Sequence, residues 1–280
     1  MPVFEKPPIE TLTPARERWT PIFLEHGRLE VDDASVKWIG ADRTVFRLPV
    51  ASLSVIMLGP GTTVTHAAMK ACAECNTPVC WVGADGLHFY ARGLGATHDN
   101  ERARHQAALA SSPPKRDAVA RRMFSVRFGD CSIAGKSVKE LRGMEGLRVK
   151  ALYADLGLKH GVTWKGRNYN PNQWDLADGI NRAVSAANAA LYALSTAVIC
   201  SLGYLPELGF VHTNSMRAFV LDIADLYKAE CTLPAAFEAV ALNPAVEEDE
   251  AIARLKFHLE DRKILSRMPD EIAALLKEPL

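Results

Sequence analysis

Two hydrophobic periods divide the chain. From Pro21 to about Tyr90 the apolar residues alternate or come in short runs: Ile22-Phe23-Leu24, Leu29 and Val31, Val36 to Ile39, Val45 to Leu48, Val55 to Leu58, Val79 to Val82 and Leu87 to Tyr90. That is the pattern of strands. Gly40-Ala41-Asp42, Gly59-Pro60-Gly61 and Gly83-Ala84-Asp85-Gly86 punctuate them, the last as a hairpin signal. A small helix over Ala67–Cys75 interrupts the series. Beyond Gly93–Gly95 the period lengthens to three and four. Helices are predicted over His98–Ala110 and Lys115–Phe128, split by Ser111-Ser112-Pro113-Pro114, then from Ser137, through the uncharged stretch Ala183–Pro206, and from Thr213 past Tyr227. Others follow over Ala235–Ala241 and Glu248–Leu265, with a short one reaching Leu280. The expected fold is α+β, a small N-terminal β-rich domain (residues 1–93) followed by a larger all-helical domain (residues 94–280).

Three places break the helical pattern with polar chemistry. Ser137-x-x-Glu140 is a capping box, and the stripe it opens (Val138, Leu141, Val149, Leu152, Leu156) holds an acid, Glu145, at its centre, bracketed by Gly143 and Gly146. An acid on a buried face is costly unless paired or metal-bound. Arg142 and Arg148 are candidate partners, and the glycines leave room for a close approach. Asp178, Asn181, Ser185, Asn188 and Tyr192 run at steps of three and four down an otherwise apolar helix, a stripe that needs partners. In Gly209-Phe210-Val211-His212-Thr213-Asn214, a histidine precedes Asp222 and Asp225, which share one side of an apolar helix. Two carboxylates and an imidazole suit Mg²⁺ or Mn²⁺ better than structural zinc. The alternative is a pair of surface acids beside an unrelated loop histidine.

Composition narrows the picture further. At 48% hydrophobic and 24% charged the chain reads as an ordinary globular protein, with ample length for a core. Net charge is zero, yet residues 101–150 carry twelve Lys/Arg against five acids, a local +7 that suits phosphates or is simply a solvated face. The stretch from Gly157 to Trp174 interleaves Trp164, Lys165, Arg167, Tyr169 and Trp174, side chains able to stack on bases and hold phosphates, or to pack as a surface loop. Ala183–Pro206 is long enough to raise a membrane span, but Ser185, Asn188, Ser195, Thr196 and Ser201 point to a buried core helix. Cys72-x-x-Cys75 has no second pair to complete a zinc site, so buried free thiols are expected. Met1 to Pro8 has no apolar signal core, so the cytoplasm is expected.

These motifs, in this order, resemble the CRISPR-associated integrase family, the catalytic subunit of the spacer-acquisition complex. Arg142-Gly143-Met144-Glu145-Gly146-x-Arg148 is similar to its metal-binding Glu motif, Asp178-x-Ile180-Asn181 with Asn188-x-x-Leu191-Tyr192 to its central helix, and Gly209 to Thr213 with Phe219 to Asp225 to its His and paired-Asp motif. Trp164-Lys165-Gly166-Arg167-x-Tyr169 looks most like the Cascade-associated I-E subtype. The resemblance implies metal ligation by Glu145, His212 and Asp225, with Asp222 adjacent and also catalytic. It implies DNA contacts from Arg142, Tyr169, Trp174, Tyr192, Arg217 and Lys70, where Lys70 stands in place of an Arg; His26 and His88 likewise depart from the family's Tyr and Arg. It also implies double-stranded DNA as substrate, an asymmetric homodimer and a small ferredoxin-like partner subunit. Two other readings compete: a metal-dependent hydrolase of a small phosphate ester, and a non-catalytic DNA-binding scaffold whose acids only form ion pairs.

Overall fold

The computed structural model describes residues 20–32, 35–83, 89–93, 100–128, 133–167, 177–243 and 248–277. In chain order these form strands β1 (Thr20–Leu24), β2 (Gly27–Asp32), β3 (Ser35–Gly40), β4 (Val45–Leu48), β5 (Leu53–Leu58) and β6 (Thr62–Val64), helix α1 (His66–Glu74), and strands β7 (Val79–Val82) and β8 (Phe89–Arg92). The helices that follow are α2 (Glu101–Ser111), α3 (Pro113–Phe128), α4 (Val138–His160), α5 (Gly179–Ser201), α6 (Ala218–Tyr227), α7 (Leu233–Leu242), α8 (Glu248–Asp261) and α9 (Ile264–Leu276). The α+β order expected from the two periods is present. Compact packing groups residues 1–104 with 193–205, and residues 105–192 with 206–280.

The first unit holds two sheets, ordered β1-β5-β7-β8 and β4-β3-β2-β6. β1, β5 and β7 pair in parallel and β8 closes the sheet antiparallel to β7. β6, hidden in the sequence behind Gly61, pairs in parallel with β2. Gly61 adopts φ +67°, and the peptide N–H groups of His26 and Gly27 donate to the carbonyls of Pro60 and Gly61. Leu29, Ile56 and Val79 are fully enclosed with Cys72 beside them. Cys72 and Cys75 are buried free thiols, and burial pushes the Cys72 thiol up to about 12, an inert state.

The second unit packs helices. Pro113 and Pro114 do not separate α2 and α3 widely; they enter the first turn of α3, where a missing N–H costs nothing. Ser137 and Glu140 form the expected reciprocal cap on α4, which ends at Gly161 in the left-handed conformation. Ile180, Ala183 and Val184 of α5 pack with Leu156, Leu233, Phe237 and Val240. By length and apolarity α5 could cross a membrane, yet 72% of its most apolar 18-residue window is buried in protein, as a core helix requires.

The polar stripe of α5 finds its partners. Arg167 Nη1 donates to the Asn181 side chain and carbonyl, both at 2.9 Å, and Nη2 to Ser185 Oγ at 2.6 Å. Thr232 Oγ1 donates to Asn188 Oδ1 at 2.8 Å. Trp164 stacks on Tyr153 with ring centroids 4.2 Å apart and packs near Phe237. In the loop after α4, Trp164 and Arg167 thus have internal partners, and Arg167 remains exposed. The basic segment is also partly internal: Arg102, Arg121 and Arg122 donate to the carbonyls of Leu202, Lys136 and Leu275. At Leu202 and Leu275 the guanidinium meets a carbonyl at a helix C-terminal end, as the helix dipole favours.

Phe237 is fully buried in this cluster. Phe237→Ala is expected to cost about 3–5 kcal/mol in urea unfolding, whereas the exposed Lys165→Ala stays within about 0.5 kcal/mol.

Candidate metal centre

The centre is built outward from a buried carboxylate. Asp222, in the second turn of α6, is fully enclosed. Its Oδ2 accepts from the peptide N–H groups of Phe210 (2.6 Å) and Val211 (3.1 Å), and its Oδ1 from that of His212 (2.9 Å). His212 Nδ1 lies 2.7 Å from the same Oδ1. An oxygen already accepting a peptide N–H accepts here too, so Nδ1 carries the imidazole proton and Nε2 is left with its lone pair outward. The helix therefore begins later than Thr213, the start predicted from the sequence. The chain from Phe210 to His212 wraps the carboxylate, Thr213 to Arg217 forms an exposed turn, and α6 starts at Ala218. Gly209 makes the wrap possible: a Cβ there would lie 2.3 Å from the His212 carbonyl oxygen and 2.8 Å from the Ala218 Cβ.

One turn on from Asp222, Asp225 places Oδ2 3.9 Å from His212 Nε2. Its other oxygen takes Lys228 Nζ at 2.6 Å. Lys228 opens the π-turn Lys228–Thr232, and its ammonium sits 4.8 Å from the centre of the Tyr192 ring. Burial opposes charge on Lys228, but Asp225 and Tyr192 outweigh it and raise the ammonium's pKa. Arg217 also faces the Tyr192 ring, at 5.9 Å.

Glu145 lies on α4, and its partner is neither Arg142 nor Arg148. Arg127 Nη1, from the last turn of α3, reaches Glu145 Oε1 at 2.6 Å and Oε2 at 2.7 Å. Its Nη2 donates to the Asp222 carbonyl at 3.1 Å, and Arg148 in turn donates to the Arg127 carbonyl. Arg127 thus joins the Glu145 helix to the Asp222 helix. Added Cβ atoms at Gly143 or Gly146 would meet nothing within 4 Å, so space lies open beside the acid.

The structure brings His212, Asp222 and Asp225 into one contact set and reaches Glu145 through Arg127. Among the described residues no three His, Cys, Asp or Glu side chains stand close enough to hold a metal together. The donor chemistry nevertheless fits a hard divalent ion: an oriented Nε2 lone pair beside a carboxylate, with a second carboxylate linked to the same helix. Arg142 is exposed on α4. Lys70, in the other unit, lies 3.8 Å from Glu74. Tyr169, Trp174 and His88 fall outside the described residues. Sequence reading missed Arg127 and Lys228. Lys228 was legible three residues after Asp225, the spacing of a helical ion pair; Arg127, 18 residues before its partner, carried no local signal.

The profile of the family described as CRISPR associated protein Cas1 matches residues 22–132 and 125–249. The chain belongs to this family. It is 45% identical over 232 residues to the CRISPR-associated endonuclease Cas1 2 of Chlorobaculum tepidum, covering 83% of this chain and 78% of that protein. It is 40% identical over 257 residues to the CRISPR-associated endonuclease Cas1 of Escherichia coli K12, covering 91% and 84%. The crystal structure of the TtCas1–DNA complex superposes with a TM-score of 0.79 at 37% identity, over 94% of this chain and 98% of that one. A casposase bound to its integration product shares the fold alone, at 13% identity and a TM-score of 0.53 over 93% of this chain and 97% of that one. With its family the chain is a CRISPR-associated endonuclease.

Asp222→Ala strands three peptide N–H groups and the imidazole, and is expected to cost about 3 kcal/mol or more in urea unfolding. Gly209→Ala is expected to destabilise similarly, because the carbonyl it would meet is backbone. Thr213→Ala, in the exposed turn, stays within about 0.5 kcal/mol.

Proposed function

We propose that this chain is the strand-transferring subunit of spacer acquisition, of the I-E type, joining the 3′-OH of a short captured duplex to a phosphodiester at the repeat boundary of a CRISPR array. The observation that carries this reading is the Asp222–His212 pair, which aims Nε2 at Asp225 on a helix tied through Arg127 to Glu145. Glu145, His212 and Asp225 would hold Mg²⁺ or Mn²⁺. Bound there, the ion supplies charge stabilisation to the phosphate and to the attacking or leaving oxygen.

The chain's own residues do the rest. Asp222 is a positioning residue, since its oxygens are spent on the loop and the imidazole. The attacking hydroxyl oxygen forms one ester bond to phosphorus as the bond to the repeat strand's 3′ oxygen breaks. The proton lost by the first oxygen is matched by the one the second gains. The exposed Arg142 and Arg217, with Tyr192 beside the latter, would contact DNA, and Tyr169, Trp174 and Lys70 would be further DNA contacts. The β-rich domain of residues 1–93 would serve dimerisation and duplex ends. A homodimer, a small ferredoxin-like partner subunit and a cytoplasmic setting complete the proposal. The exposed turn Thr213–Arg217 beside the centre favours a macromolecular substrate over a small phosphate ester.

The test is to incubate the protein and its small partner with labelled 3′-OH duplex and supercoiled array plasmid, in Mn²⁺ or EDTA. Metal-dependent label transfer is expected with the natural chain and none with Asp225→Ala. Transfer that persists in EDTA would remove the metal assignment, and DNA binding with no transfer would favour the scaffold. Arg142→Ala should weaken duplex binding and lower the slope of log affinity against log salt by about 1.

A further inference from the structure

Arg127 is an unusual partner for a ligand carboxylate. Its side chain is 2% exposed while that of Glu145 is 21% exposed, so the cation is the deeper member of the pair. One terminal nitrogen touches both carboxylate oxygens, the other holds the Asp222 carbonyl, and the buried Nε–H has no hydrogen-bond partner among the described residues. The guanidinium lies 5.4 Å from the centre of the Phe124 ring, which fixes its plane from one side. The cation therefore stays put, and it occupies both oxygens that Glu145 would offer to a metal.

We propose that Arg127 is a built-in competitor for Glu145. It keeps the carboxylate aligned between α3, α4 and α6, and it sets how much divalent ion is needed to draw one oxygen away. This inference rests on the ligand set proposed above. Its physical basis is that a fixed positive charge beside a ligand opposes arrival of a second cation, while a carboxylate has two oxygens and can serve both once a new geometry is reached. The spare Nε–H marks the present arrangement as one in which the guanidinium is not fully used, leaving a donor available when Nη1 shares Glu145. Lys228 neutralises Asp225 in a comparable way, but it contacts only one oxygen, at 2.6 Å, and leaves the other unshared with it.

The proposal separates from a purely structural role by direct Mn²⁺ binding, followed through the electron paramagnetic resonance signal of free Mn²⁺. The proteins compared are the natural chain, Arg127→Gln, Arg127→Lys, Glu145→Ala and His212→Ala. Arg127→Gln is expected to bind Mn²⁺ about tenfold more tightly than the natural chain, with a larger Mn²⁺-induced rise in melting temperature. Arg127→Lys, which keeps the charge, should stay near the natural chain. Unchanged or weaker Mn²⁺ binding in folded Arg127→Gln overturns the competition. If Arg127→Gln fails to fold, the Nε–H resonance of Arg127, assigned by its loss in Arg127→Lys, is followed during a Mg²⁺ titration of the natural chain. A shift that saturates with Mg²⁺ supports the proposal and an unmoved resonance overturns it. Mn²⁺ binding indifferent to Glu145→Ala and His212→Ala instead removes the metal site itself, a distinct failure.

Discussion

One buried carboxylate organises the functional half of the molecule. Asp222 collects three successive peptide N–H groups and an imidazole within 3.1 Å. That single ion decides where α6 begins, which tautomer His212 adopts and which way its free nitrogen faces. Charge-assisted hydrogen bonds in an enclosed setting are about twice as strong as neutral ones, and here all of them converge on one loop. The loop in turn needs Gly209, because no side chain fits between the His212 carbonyl and Ala218.

Around this fixed point the remaining charges are arranged in pairs. Asp225 answers Lys228 and Glu145 answers Arg127, and Arg127 closes the circuit by holding the Asp222 carbonyl. The polar stripe of α5 leads to the same place, from the Arg167–Asn181–Ser185 bonds through Asn188 and Thr232 to Tyr192 beside Lys228. A helix that would otherwise be uniformly apolar thus carries a line of satisfied donors and acceptors towards the centre. The π-turn after Asp225 belongs to this arrangement, since it places Lys228 against the carboxylate and Thr232 against Asn188.

The strand and helix periods made the α+β order legible, and the Ser137–Glu140 cap was readable because both of its partners lie within four residues. Glu145 stood out as an acid on a stripe, and His212 with Asp222 and Asp225 as chemistry on an apolar helix. What stayed hidden depended on distance along the chain. Thr213, Asn214 and Ser215 are good caps by type, but a side chain later in the sequence captured the preceding N–H groups and moved the helix start to Ala218. The arginines of the basic segment read as a phosphate-facing surface, yet several end on carbonyls far away in sequence. Trp164 and Arg167 read equally as DNA contacts or packing, and their internal partners, Tyr153 and Asn181, become visible only in three dimensions.

The central claim is that His212 Nε2, Asp225 and Glu145 converge on one divalent ion while Asp222 stays behind the imidazole. Anomalous diffraction from crystals of the protein grown with Mn²⁺ tests this most directly. The account predicts a single strong peak within bonding distance of His212 Nε2 and of one oxygen each from Asp225 and Glu145, with Asp222 still bonded to Nδ1. A peak on Asp222, or one that Glu145 does not touch because Arg127 retains both its oxygens, would contradict it.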